Sequence, residues 1–500
     1  MLAISWIAGS RIARSWTADG RHGQLGWAAY GAAMIAACAL SVTGVAAEPP
    51  ADAAAVLIPT SLQQPTAVPG PASAVGEIAA RLESAGGLEI AGERLHGALL
   101  RRFYAAHNYE PVWGTHSAQA AALLNAVLRA GDHGLDPDLF HGSLLRNMAT
   151  LSPIDRELLQ SDAFLGFADA LARGVLPIEI RMDDEDLRPE PIDVAAVLDQ
   201  AIDSPDPAAA IEALAPHSPA YLALQRALQT YRTSAAPGPG LPGALPVTAA
   251  ETTDAARVRE IEVNLERLRW LPRNLPPDRV WVNIANARLT LYRDNRPVFT
   301  TRVVVGQTDK QTPEFASTID SLLFNPPWNV PPSIAVSEIL PRLHRDPNYL
   351  DRHHMVFRRN GAIEQLPGHG TALGQLKFEM EDRFDVYLHD TPEKFLFARD
   401  NRRRSHGCVR VQNPRDLAAL LLRQPVAVIN KGIAGGSTNR RMLPVPVPVF
   451  MVYQTAFLGA DGAIEFVPDV YDRDPEIWQR LHPNRQAPVA QHDPEGQRRG

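Results

Sequence analysis

Five hundred residues are more than one hydrophobic core usually covers, and 45% hydrophobic with 21% charged residues is the balance of an ordinary globular chain, so two or three domains are expected. A net charge of −7 excludes general nucleic-acid binding, which needs a basic surface.

The chain opens on an export pattern. Over residues 1–47, Arg11, Arg14 and Arg21 face only Asp19, an apolar run extends from Leu25 to Val45, and Val45-Ala46-Ala47 supplies small residues for cleavage before Glu48. The run is also about long enough to span a bilayer, so the segment reads as a signal peptide or as an uncleaved anchor. Ile35-Ala36-Ala37-Cys38 resembles a lipoprotein cleavage site only loosely, because the residues after Cys38 stay apolar. Each version places the bulk of the chain outside the cytoplasm.

Residues 48–75, rich in Pro, Ala and Gln, read as a disordered linker. Three-to-four spacing of Leu99, Leu100, Phe103 and Tyr104, then of Leu123, Leu124, Val127 and Leu128, predicts a helical domain over 76–232. A second linker over 233–257 contains the Pro/Gly run from Pro237 to Gly243. A helix through Ile261, Leu265 and Leu268 opens the next domain, 258–480, where the period then changes to two. Strands are predicted at Val280–Ile284, Arg288–Tyr292, Val298–Val305, Phe384–His389, Gly407–Val411, Pro425–Asn430 and Val447–Thr455, with helices at Ser333–Leu343 and Pro414–Leu422. Residues 481–500 are polar and aperiodic, a disordered tail.

Once an export signal is removed, one cysteine remains, Cys408, in Ser405-His406-Gly407-Cys408-Val409-Arg410-Val411. A lone thiol is idle, shared with another chain, or reactive. Strand alternation puts His406, Cys408 and Arg410 on one face, and free amides at a strand start have the parts of an oxyanion hole. His389 ends its own predicted strand, and if the two strand ends are neighbours its imidazole can act as base toward the thiol. Most free cysteines are small core hydrophobes, but the flanking Ser, His, Gly and Arg make a poor packing motif. His353, His354, His369 and His406 lack metal-ligand spacing, so no metal is expected.

His389, fifteen intervening residues, then Ser405-His406-Gly407-Cys408 resembles the motif of the L,D-transpeptidases with a YkuD-type catalytic domain. Gln311-Thr312-Pro313, Phe324-Asn325-Pro326-Pro327-Trp328-Asn329 and Tyr453-Gln454-Thr455-Ala456 look like the large Gram-negative branch. Tyr109-Glu110-Pro111-Val112-Trp113 and His133-Gly134-Leu135-Asp136-Pro137 resemble that branch's scaffold domain. The resemblance implies an α+β multidomain fold: a helical scaffold domain, then a β-rich, sandwich-like catalytic domain with a capping insertion at about 332–370. It also implies a periplasmic enzyme that needs no cofactor and forms 3→3 cross-links between peptidoglycan stem peptides through a Cys408 thioester, releasing D-alanine. The alternatives are L,D-carboxypeptidase action on the same acyl-enzyme and lipoprotein attachment to peptidoglycan.

By the same resemblance His389 is the base, its ring oriented by the Asp390 carbonyl. His406 shapes the site, and Gly407 with Cys408 supplies oxyanion amides. Arg410 either meets a substrate carboxylate or steadies the strand in an ion pair. Ser405 and Trp328 are substrate-binding candidates, Trp328 being otherwise core packing. Carbapenems are expected to acylate Cys408. Arg399 and Arg402-Arg403-Arg404 read as a solvated loop within reach of acidic stem peptides. Two departures stand out. Residues 233–257 are too short for the branch's peptidoglycan-binding module, and Thr371 and Arg404 occupy positions where asparagine and a less polar residue are expected.

Overall fold

The computed structural model describes residues 71–84, 87–235, 249–368 and 370–483. The export segment, most of the first linker, the centre of the second and the tail beyond 483 lie outside the described residues.

The N-terminal half is helical: α1 (Pro71–Glu83), α2 (Gly97–Ala106), α3 (Ser117–Leu128), α4 (Pro153–Arg173), α5 (Val194–Ile202) and α6 (Pro219–Ala235). At its centre is α4, buried on most sides. It starts where Ser152 accepts a hydrogen bond from the Asp155 amide with Pro153 in the first turn, and it ends at Gly174. Gly174 holds φ +86°, and a Cβ there would sit 2.4 Å from the Glu266 carboxylate, so only glycine lets the next helix approach. That helix is α7 (Ala249–Arg269).

Ile261, Val263, Leu265, Leu268 and Trp270 of α7 and its end lie in the helical core, which also takes Ala456, Ile477, Trp478 and Leu481 from late in the chain. The last three belong to α10 (Asp474–Leu481), after α8 (Pro414–Leu422) and α9 (Val426–Ala434). The opening helix and the closing segment of 258–480 thus pack with the helical half. Trp478 Nε1 donates to Glu262 at 3.1 Å, and His482 Nε2 lies 2.8 Å from the same carboxylate.

Ten strands form the main sheet: β1 (Glu185–Asp186), β2 (Arg279–Asn283), β3 (Arg288–Arg293), β4 (Arg296–Gly306), β5 (Glu314–Phe324), β6 (Leu376–Met380), β7 (Leu388–His389), β8 (Arg403–Ser405), β9 (Val409–Val411) and β10 (Asn439–Val452). The order is β6-β7-β9-β4-β3-β2-β10-β5-β1; β6 also pairs with β5, and β8 with β4. The predicted sandwich is thus a sheet closed on itself around one apolar core. β1 comes from the helical half and pairs parallel with β5, Glu185 opposite Glu314.

Two predicted strands differ. Pro425–Asn430 is α9, a helix that buries Ile429 and Ile433; its β-branched run gave a short apolar signal common to both structures. Of Phe384–His389, only Leu388 and His389 are in a strand, because Asp385 at φ +55° turns the chain just before it. A cap spans residues 328–366. Its three short strands, Trp328–Asn329, Met355–Phe357 and Ile363–Gln365, and its helical segment with a π turn at Ala335–Ile339 share a small core of Val330, Ile339, Leu350, Met355 and Ile363.

Candidate active site

Parallel pairing of β7 with β9 sets Leu388 opposite Val409 and His389 opposite Arg410. Leu388, Val409 and Val411 face the closed core. Alternation therefore puts Tyr387, His389, Cys408 and Arg410 together on the other face, with His389 and Cys408 one diagonal step apart.

His389 is buried, and its Nδ1 lies 2.5 Å from the Asp390 carbonyl oxygen. That contact makes Nδ1 the protonated nitrogen and leaves the lone pair on Nε2. Burial, and next the Arg410 charge, push its pKa down to about 3, against the pull of the Asp390 and Leu373 carbonyls. The imidazole is neutral at ordinary pH. The Asp390 side chain accepts from the amides of Gln375 at 2.9 Å and Thr391 at 2.7 Å and pairs with Lys394, so the carbonyl that holds the ring is itself fixed.

Cys408 is half-buried. Its thiol lies 3.8 Å from the Asp385 carbonyl. Burial raises the thiol pKa, opposed by Tyr387, so the resting pair is thiol and imidazole rather than thiolate and imidazolium. Tyr387 is the residue that sequence reasoning missed. Its ring stands edge-on 5.6 Å from His389, and the Lys377 ammonium lies 4.2 Å over its face. Burial, then the Cys408 charge, raises its own pKa, so it is a standing donor. The signal was available: Tyr387 precedes His389 by one strand period.

The remaining candidates divide. His406 is exposed, with Nε2 2.5 Å from Glu338 in the π turn of the cap. Ser405 is buried; its hydroxyl accepts from the Gly407 amide at 3.2 Å, and its carbonyl from the Gln307 amide at 3.0 Å. It builds the loop, and the Gly407 amide expected in an oxyanion hole is engaged in this state. Arg410 pairs with Glu393. Trp328 packs against the cap core. A cavity of about 370 Å³ opens beyond Asp390, between Lys394 and Arg415, but neither Cys408 nor His389 lines it. Among the described residues no cluster of His, Cys, Asp and Glu could hold a metal ion.

The Cys408 loop rests on a buried floor. Gly407 holds φ +117°, and its carbonyl accepts from Thr312 Oγ1 at 2.7 Å. Thr312 Oγ1 accepts from the Gly306 amide at 2.9 Å, and Tyr471 donates to the Gly306 carbonyl at 2.6 Å. Beside them Arg473, fully buried, reaches Gln311 Oε1 at 2.7 Å and Glu314 at 3.3 Å, and pairs with Asp184 just before β1. The helical half thus touches the floor of the site through one guanidinium.

Residues 277–430 match the L,D-transpeptidase catalytic domain, YkuD, and residues 98–228 match the Scaffold domain. This chain carries a YkuD-type L,D-transpeptidase catalytic domain. A Haemophilus influenzae protein, whose name gives it provisionally as an L,D-transpeptidase, is 31% identical over 256 residues, covering 47% of this chain. The chain spans about half the length of that relative, 52%. The ertapenem-acylated catalytic domain of the Enterococcus faecium L,D-transpeptidase is 14% identical, covering 36% of this chain and 99% of that one, with a TM-score of 0.21. An avibactam carbamoyl form titled Ldtfm is 12% identical, covering 46% and 81%, with a TM-score of 0.20. Such scores are too low to carry residue equivalences, so the roles within this L,D-transpeptidase domain rest on its own geometry.

Proposed function

We propose that this protein is a periplasmic peptidoglycan L,D-transpeptidase that forms 3→3 cross-links through a Cys408 thioester. The observation that carries the reading is the shared face of β7 and β9. It brings a thiol and a neutral imidazole of fixed tautomer, the parts of an activated nucleophile, beside each other inside a YkuD-type domain.

The Cys408 sulfur attacks the carbonyl joining diaminopimelate to the terminal D-alanine of a donor stem. The thiol proton passes to His389 and from it to the departing amine, so the C–N bond breaks as the thioester forms. The side-chain amine of a second stem attacks the thioester, loses its proton to His389, and the thiol is restored. Tyr387, protonated and on the same strand face as the sulfur, would steady the anion as it forms. No redox or metal partner is needed for atoms and charges to balance. Strained β-lactam carbonyls of carbapenems should acylate the same sulfur.

The test is to incubate the protein with disaccharide-tetrapeptide and resolve products by mass spectrometry, with Cys408→Ala alongside. Cross-linked dimer with free D-alanine is expected. Tripeptide alone would make the enzyme an L,D-carboxypeptidase, and transfer only to a lipoprotein lysine would make it an attachment enzyme. No product together with no carbapenem adduct on Cys408 would overturn the enzymatic reading.

A further inference from the structure

The run around Arg402, expected to be a solvated loop, is built into the sheet. Arg402 Nε donates to the Val303 carbonyl at 3.2 Å, Nη1 to that of Arg399 at 3.2 Å, and Nη2 to that of Asn286 at 3.0 Å. Arg302 donates to the Phe397 carbonyl at 3.1 Å. Arg288 stands directly opposite Arg302 in the β3–β4 ladder. Two like charges facing each other across a ladder destabilise it, so this pair costs stability rather than adding any.

The register fixes where these charges point. Arg410 of β9 pairs with Val304 of β4, which puts Val304 and Arg302 on the face that carries Cys408, and the ladder puts Arg288 there too. Since β4 lies next to β9 and β3 one strand further, the backbones that carry Arg302 and Arg288 run roughly 5 and 10 Å to the side of β9, with Arg302 four residues along the ladder from the level of Cys408. Among the described residues, none of Arg288, Arg302, Arg399, Arg402, Arg403 and Arg404 has a carboxylate within ion-pair distance; Asp400 is the acid closest in effect on Arg402. Burial, then Arg302 and Arg288, hold the Arg402 pKa below its usual value, so the cluster is electrostatically frustrated. In a chain of net charge −7, such a concentration of one sign is a surface waiting for an anion.

We propose that the Arg288–Arg302–Arg402 strip beside the catalytic face is a docking surface for the clustered carboxylates of peptidoglycan stem peptides flanking the reacting one. Every cation in the strip is arginine, whose planar fork suits paired carboxylate oxygens better than an ammonium does. The strip would hold a carboxylate-rich polymer alongside the sheet while one stem reaches Cys408. The proposal rests on the reading of the site as a peptidoglycan transpeptidase.

Cosedimentation with purified sacculi, at increasing salt, tests it on the full chain. Arg288→Glu/Arg302→Glu is expected to weaken binding at low salt by about fivefold or more, and to flatten the salt dependence, because the attraction is screened within a Debye length. Carbapenem acylation of Cys408 and the melting temperature should stay at wild-type values, and Arg288→Lys/Arg302→Lys should recover most of the binding. Unchanged sacculus binding by the Glu variant would overturn the docking surface while leaving the transpeptidase reading intact. So would a variant that loses binding to anionic phospholipid vesicles but not to sacculi. Absence of acylation in the wild type would instead count against the transpeptidase reading.

Discussion

The floor under Cys408 and the cap over it are held in opposite ways. Gly407 rests on Thr312, which with Gly306 and Tyr471 forms a buried hydrogen-bonded set, and beside them buried Arg473 ties Gln311 and Glu314 to the helical half through Asp184. The cap keeps a core of five buried residues and meets the motif through partly exposed charges: Glu338 to His406, with Lys310 at 3.8 Å and Arg342 at 3.4 Å. Buried networks specify one geometry, whereas exposed ion pairs are worth little and exchange readily with water. The protein fixes where Cys408 stands and leaves open what stands above it.

That contrast can be broken at several strengths. Cys408→Ala should remove at least about 10³-fold of activity with no loss of melting temperature, since it deletes the covalent step from an intact floor. Arg473→Met leaves Glu314 and Asp184 without their buried partner and should cost about 3–5 kcal/mol in denaturant unfolding, lowering acylation with it. Thr312→Val, nearly isosteric, should cost about 1–3 kcal/mol by orphaning the Gly306 amide and the Gly407 carbonyl, with a fall in kcat larger than any change in KM. Glu338→Ala in the cap should cost about 1 kcal/mol or less and alter KM more than kcat. If Thr312→Val and Glu338→Ala gave the same kinetic signature, floor and cap would not be functionally distinct.

Acidity probes the same divide with smaller effects. Burial raises Glu314 to about 7 despite Arg267 and Arg473, and Glu185 faces it across the ladder. Its native state therefore holds a proton that the unfolded chain releases near its ordinary value of 4.5, so this contribution to stability is full below 4.5 and is lost as pH rises through about 7. Wild type minus Glu314→Gln in melting temperature should show that slope. The smallest change expected is none: His389 gains its proton only near about 3, so carbapenem acylation should not fall as pH passes through 6.5. A titration of the rate at that pH would mean that the resting imidazole is not as sequestered as the floor makes it.

The motif at Cys408, the histidine at 389 on a strand end and the helix Pro414–Leu422 were legible because each is local: a reactive residue type in an odd setting, or one clean period. Tyr387 was not, because its role depends on which strand becomes the neighbour of β9. The Pro425–Asn430 segment reads equally as strand or helix until the αL turn at Arg423 and Pro425 at the helix start choose for it. The packing of the helix that opens at 258 was hidden for a different reason. Helix α7 is apolar on a face that suits either half, and only the close approach at Gly174 and the return of α10 assign it to the helical core.

The strand β1 crosses from one half to the other, and α10 crosses back. Seen as a folding problem, this interlacing sets an order of events. Glu185 and Asp186 are synthesised long before Glu314 and Phe315, with which they pair, and the helical core waits for Ile477, Trp478 and Leu481. Contacts so distant in sequence carry a large loop-closure cost before any reward, which slows the final assembly. A chain emerging from its N-terminus therefore shows unfinished apolar helices until Ile477, Trp478 and Leu481 arrive, and neither half is expected to complete its core when cut from the other.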